Sequence, residues 1–147
     1  MPNKNILMIS VDDLNSWVTF QDNYGGDIHA PNIERLMDMG TNFADAFCQT
    51  AVCNPSRASV LSGKAPASTG VYDNSVNWYD VLDPSETLPA VLKKSGFYTV
   101  NIGKLLHDPG TTPKNIQDIL FDEYIYADKA EEGETDKPFL NMGLRYL

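Results

Sequence analysis

The sequence predicts an α/β fold, a mainly parallel sheet flanked by helices, and three kinds of stretch along its 147 residues predict it. Residues 5–11 form a nearly continuous apolar run (Ile6, Leu7, Met8, Ile9, Val11) that stops at Asp12 and Asp13. Strands covered on both faces read in this way rather than as an alternation. Short amphipathic segments follow, opened by Pro or a capping residue and closed by Gly, as helices are. Residues 97–102 then give a further apolar stretch that ends at Gly103 and Lys104. In open α/β sheets, ligands gather beyond the carboxyl ends of strands, where both stretches deliver polar side chains.

Taken in order, residues 5–11 are expected to be the first strand. Residues 31–39 carry Ile33, Leu36 and Met37 at helical spacing, with Pro31 at the start and Gly40 at the end. Residues 43–47 alternate as a second strand would. Residues 54–61 read as a helix closed by Gly63, with Asn54 as N-cap and Pro55 in the first helical position, which leaves Cys53 at the helix mouth. Turn residues dominate 71–85, and Trp78 and Tyr79 within it are assigned to packing. Residues 87–95 read as a helix capped by Thr87 and stopped by Gly96, followed by residues 97–102 as the third strand. Residues 107–136 are rich in Pro, Gly, Asp and Glu and read as a long connection with one short helix. Residues 138–147 give a fourth strand entered through Phe139 and Leu140. No repeat, low-complexity tract or dividing linker interrupts the chain, whose length suits one compact domain.

Composition narrows the partners. A net charge of −9 argues against nucleic acid and supplies no polybasic patch for a membrane. No apolar stretch has the length of a membrane span, and the first strand begins too early to leave room for a signal peptide. As written, the chain reads as cytoplasmic, or as periplasmic or secreted if its N-terminus has been trimmed. The two cysteines, Cys48 and Cys53, make no disulfide framework, and with only His29 and His107 to help them a closed zinc site is hard to assemble.

The run Cys53-Asn54-Pro55-Ser56-Arg57 carries the chemistry. It sets a thiol beside free backbone N–H groups and the positive end of a helix dipole, with a guanidinium one turn further on. A cysteine phosphatase loop would need arginine where Ser59 stands, so a phosphate cradle of that kind is disfavoured. An ordinary helix cap beside a buried free cysteine is the plainer alternative.

The pentapeptide resembles the C-x-P-S-R signature of the type I sulfatases, whose cysteine is oxidised after translation to formylglycine. Asp12-Asp13 at the end of the first strand, the segment from Ala30 to Leu36, Leu61-Ser62-Gly63 behind the signature, and Gly103-Lys104 followed by His107 match the same family in the same order. The Lys104 to His107 spacing and Val11-Asp12-Asp13-Leu14 are most similar to its iduronate-2-sulfatase-like branch. On this resemblance the chain is an N-terminal portion, residues 1–147, of a sulfatase catalytic domain: a partial, truncated alkaline-phosphatase-like fold.

The resemblance implies a calcium ion on Asp12, Asp13 and the formylglycine made from Cys53. Carboxylate oxygens suit this hard cation, and a thiol does not until it has become an aldehyde hydrate. It further implies that one hydroxyl of that hydrate attacks sulfur and the other releases sulfate, that Arg57 orients the group, and that Lys104 and His107 hold sulfate oxygens. The implied partners are a sulfated small molecule or sugar and a formylglycine-generating enzyme. The longer members carry further calcium ligands, a second lysine and another histidine in their second half. The chain is therefore expected to act with such a missing half, to self-associate, or to stand as a catalytically incomplete anion-binding fragment. A phosphonate or phosphate monoester hydrolase of the same superfamily would share every residue named.

Overall fold

The computed structural model describes residues 4–12, 14, 26–107 and 112–125. The chain divides into two units, Met1–Phe47 and Cys48–Leu147. The expected fourth strand at 138–147 lies outside the described residues, as does Asp13.

In the first unit, the expected helix forms as α1 (Pro31–Met39), with Pro in its first turn and the Gly40 N–H closing onto the Met37 carbonyl at 3.4 Å. The two strands expected on either side of it do not form. Residues 5–11 have no regular secondary structure, and their apolar side chains are exposed, Leu7 at 81%. Residues 43–47 hold a turn at 44–45 and no strand, with Phe47 85% exposed. The physical reason is the absence of a ladder: a strand is stabilised by hydrogen bonds to a neighbouring strand, and the sheet among the described residues has two strands, neither of them from this unit.

The second unit is built around α2 (Cys53–Ser62). It ends as expected at Gly63, whose left-handed backbone (φ 69°) sends its N–H to the Ser59 carbonyl at 2.8 Å, a closure that suits glycine. Its start differs from expectation. Val52 is the N-cap, Cys53 is the first helical residue and Pro55 the third. A proline is tolerated at any of these places, because amides of the first turn have no partner within the helix. Asn54 does not cap the helix, because its side chain is turned to a loop instead.

Next come α3 (Pro66–Thr69), α4 (Trp78–Val81), a 3₁₀ turn (Pro84–Glu86) and α5 (Leu88–Lys94), the last with Thr87 as N-cap. The expected third strand is shorter than the apolar run, β1 (Val100–Ile102), and is followed by α6 (Lys114–Leu120) and β2 (Glu123–Ile125). Strands β1 and β2 pair in parallel, Asn101 opposite Tyr124, so β1–α6–β2 is a βαβ unit. The sequence reading treated this region as one connection with a helix; β2 is too short and too polar at Glu123 to announce itself by periodicity.

Ala58 and Leu61 of α2 meet Val71, Trp78, Leu82, Leu106, Leu120 and Phe121 in one buried cluster. Trp78 packs edge-on to Tyr79 with ring centroids 5.7 Å apart, which bears out the packing role expected of both. Outside this cluster, Lys93 ties α5 to the α6–β2 link. Its Nζ donates to the carbonyls of Asp118 (2.9 Å) and Phe121 (2.8 Å) and pairs with Asp122 at 3.2 Å.

The Asp122 carboxylate also accepts the Thr99 N–H at 2.8 Å and the Thr99 hydroxyl at 3.1 Å. The Thr99 N–H, opposed by partial burial and helped by Lys93 and the Thr99 hydroxyl, holds its pKa below the ordinary aspartate value. A carboxyl whose folded pKa is depressed adds stability above its unfolded pKa and loses it as pH falls through the folded value. Acid unfolding followed by circular dichroism is therefore expected to steepen below about pH 4. Asp122→Asn should be less stable at neutral pH and show a shallower acid slope. An unchanged slope in that variant would remove Asp122 from the account.

Candidate active site

Cys53 is half-buried in the first turn of α2, and both it and Cys48 are free thiols. The amides of this turn are almost fully spoken for. The Asn54 N–H donates to Asn74 Oδ1 at 3.1 Å, Pro55 has none, and the Ser56 N–H returns to the Val52 carbonyl at 3.0 Å. Among the described residues, the Cys53 N–H is the first-turn amide without an acceptor. The side chain at position 53 thus lies beside an available donor at the positive end of a helix dipole.

Arg57 lies one turn further along α2, about 6 Å by helical rise. Its Nη1 donates to the carbonyls of Lys104 (2.7 Å) and Leu105 (3.0 Å). The sequence reading gave this guanidinium the task of orienting the nucleophile, and these contacts add another: it joins the helix that carries Cys53 to the segment that carries Lys104.

That segment is pinned from several sides. It leaves β1 through Gly103, whose left-handed φ of 77° turns the chain out of the strand. The Gly103 N–H donates to the Ile125 carbonyl at 3.0 Å, and Asn101 Nδ2 donates to the Gly103 carbonyl at 2.9 Å. Leu106 is 0% exposed and anchors the segment in the core. Lys104 on one side of that anchor is exposed and His107 on the other is half-buried. Arg57, Lys104 and His107 are therefore held on one unit with Cys53. Asp12, whose carboxylate is exposed, belongs to the other unit.

Sequence reasoning missed three supports of this site. Asn54 was read as a cap, Asn74 was not singled out, and Leu106 was passed over between Lys104 and His107. Of these, only Leu106 left a sequence signal, as half of the apolar pair Leu105-Leu106 set between Lys104 and His107.

A thiol at a helix start, joined through an arginine to the polar end of a parallel strand, defines an α/β protein with its ligand chemistry at a strand's carboxyl end. The Sulfatase family profile matches residues 4–143, and the chain belongs to the sulfatase family, whose fold is the alkaline-phosphatase-like α/β type. It is 38% identical over 110 residues to a sulfatase of Formosa agariphila, covering 71% of this chain and 22% of that protein. It is 36% identical over 115 residues to human iduronate 2-sulfatase, covering 78% of this chain and 20% of that protein. Against the choline-sulfatase of Rhizobium meliloti it is 35% identical over 101 residues, 69% of this chain and 19% of that protein. The chain thus spans about a fifth of the length of these curated relatives.

Proposed function

We propose that the chain carries the nucleophile-bearing part of a sulfuric ester hydrolase of iduronate-2-sulfatase-like type, with Cys53 as the precursor of formylglycine and a sulfated small molecule or sugar as substrate. The observation that carries this reading is the bridge from Arg57 to the Lys104 and Leu105 carbonyls. It holds the signature helix and the strand-end lysine, two pieces of the family pattern 47 residues apart, in one arrangement.

Position 53 fits a formylglycine. It is half-buried, at the positive end of a helix, beside an amide with no acceptor among the described residues. The carboxylates of Asp12 and Asp13 fit calcium by donor chemistry, since hard cations take oxygen ligands, usually ~6–8 of them. Among the described residues no group of three His, Cys, Asp or Glu side chains converges, so a shell of Asp12, Asp13 and residue 53 is part of the proposal. When present, the formylglycine hydrate supplies two hydroxyls on one carbon, one for attack at sulfur and one for release of sulfate, and calcium polarises the ester.

The chain's own residues do the rest. The Cys53 N–H and the dipole of α2 favour an anion at the helix mouth. Arg57 keeps the Lys104–His107 segment in place through its backbone. Lys104 offsets negative charge that grows on sulfate oxygens in the transition state, and His107 holds the same group or the formylglycine.

The test is peptide mass spectrometry of protein made beside a formylglycine-generating enzyme, followed by release of sulfate from an aryl sulfate. Conversion at Cys53 with sulfate release supports the hydrolase. A thiol that persists with no release overturns it and leaves an anion-binding role, and faster release from a phosphonate or phosphate ester would move the substrate class. Lys104→Ala is expected to lower turnover by about a hundredfold; unchanged turnover would exclude the sulfate contact.

A further inference from the structure

We infer that Asn54 and Asn74 are a pair of positioning residues that fix the peptide bearing residue 53 and so set the rate of the proposed sulfate chemistry without touching sulfate, an inference that rests on the sulfatase reading. Asn54 directly follows Cys53 and its side chain is 1% exposed. Its Nδ2 donates to two carbonyls, Asp73 at 3.0 Å and Val76 at 2.6 Å. Its backbone N–H donates to Asn74 Oδ1 at 3.1 Å. Three hydrogen bonds therefore run from one residue to a single stretch, residues 73–76, which is distant in sequence.

Asn74 takes the place of an N-cap. A capping side chain ordinarily comes from the residue just before the helix and accepts a first-turn N–H. Val52 has no side-chain acceptor to offer, and Asn74 provides one from the loop. By taking the Asn54 N–H, it leaves the Cys53 N–H as the amide available to whatever binds at position 53.

The loop is itself anchored. Val71 and Trp78 are buried on either side of it, and the Asp73 carboxylate takes both the hydroxyl and the N–H of Ser75. Those two bonds, the hydroxyl's first, hold the Asp73 pKa below the ordinary value. The core thus fixes the loop, the loop fixes Asn54, and Asn54 fixes the next residue back. A reacting group displaced by as little as an ångström loses rate out of proportion to the bonds lost.

Asn74 is exposed, so its variants should fold. In Asn74→Ala, kcat on an aryl sulfate should fall by about tenfold to a hundredfold with KM within about twofold. Asn74→Asp keeps the acceptor and should restore kcat, while KM rises because a carboxylate now faces the anion-binding helix end. Backbone amide exchange gives a readout that needs no activity. In Asn74→Ala, exchange at the Asn54 amide should quicken by about tenfold or more, with α5 and α6 unchanged. Wild-type exchange at Asn54, or a kcat loss that Asn74→Asp fails to rescue, overturns the pair. Faster exchange in a protein whose wild type releases no sulfate would overturn the hydrolase instead, and would support the pair as what holds residue 53.

Discussion

Cys53→Ala is expected to abolish sulfate release and leave the fold intact. Position 53 is the first residue of α2, half-buried, and its thiol makes no hydrogen bond among the described residues. Alanine is the best helix former and costs no polar contact here, so stability should move by no more than about 0.5 kcal/mol. The chemistry has no such tolerance. An alanine methyl cannot become an aldehyde, so on the proposed mechanism neither hydroxyl of the hydrate would exist, and the remaining residues would hold sulfate without cleaving its ester. Anion binding should therefore survive while turnover drops to the uncatalysed background. Sulfate release and a urea melt on the same preparation check both halves. A variant with wild-type turnover would take the nucleophile away from residue 53, and one that fails to fold would mean that Cys53 is structural.

The features legible in sequence were those whose physics is local. Helix α1 was bounded correctly by Pro31 and Gly40, α2 was closed correctly by Gly63, and Thr87 was found as the cap of α5. Each of these signals acts within a turn of the residue that carries it. Strands were less legible, since a strand depends on a partner that its own residues do not name. The apolar run at 5–11 has no ladder among the described residues, and β2 was found by its pairing with β1 rather than by its pattern.

The candidate site divides in the same way. Cys53, Arg57 and Lys104 were readable because a motif fixes residue types at short spacing. The bonds that arrange them were not: Arg57 reaches 47 residues to Lys104, and Asn54 reaches 22 to Val76. Pro55 shows how a local signal can also mislead. It suits the first helical position so well that the true start at Cys53 was placed outside the helix, although a proline in the third position costs nothing more.

Leu106→Ala should cost stability and activity together, by separate routes. Leu106 is 0% exposed and packs in the cluster that contains Ala58 and Leu61 of α2. Truncating a fully buried leucine typically costs about 2–5 kcal/mol, the lost transfer energy plus the cavity left behind. Domains of ordinary size have only about 5–15 kcal/mol in all, so the urea midpoint should fall visibly with the slope unchanged. The second route is through the segment that Leu106 anchors between Lys104 and His107, whose Gly103, Lys104 and Leu105 backbone groups are also hydrogen-bonded. Truncating the leucine removes the fully buried anchor between His107 and Lys104. Turnover measured where the variant is still fully folded should therefore fall below wild type, beyond what the folded fraction explains. Leu106→Met, which keeps the volume, should lose less than about 1.5 kcal/mol and retain most of the turnover. If Leu106→Ala were destabilised yet turned over normally while folded, Lys104 and His107 would be held by their own contacts, and the core would have no part in arranging them.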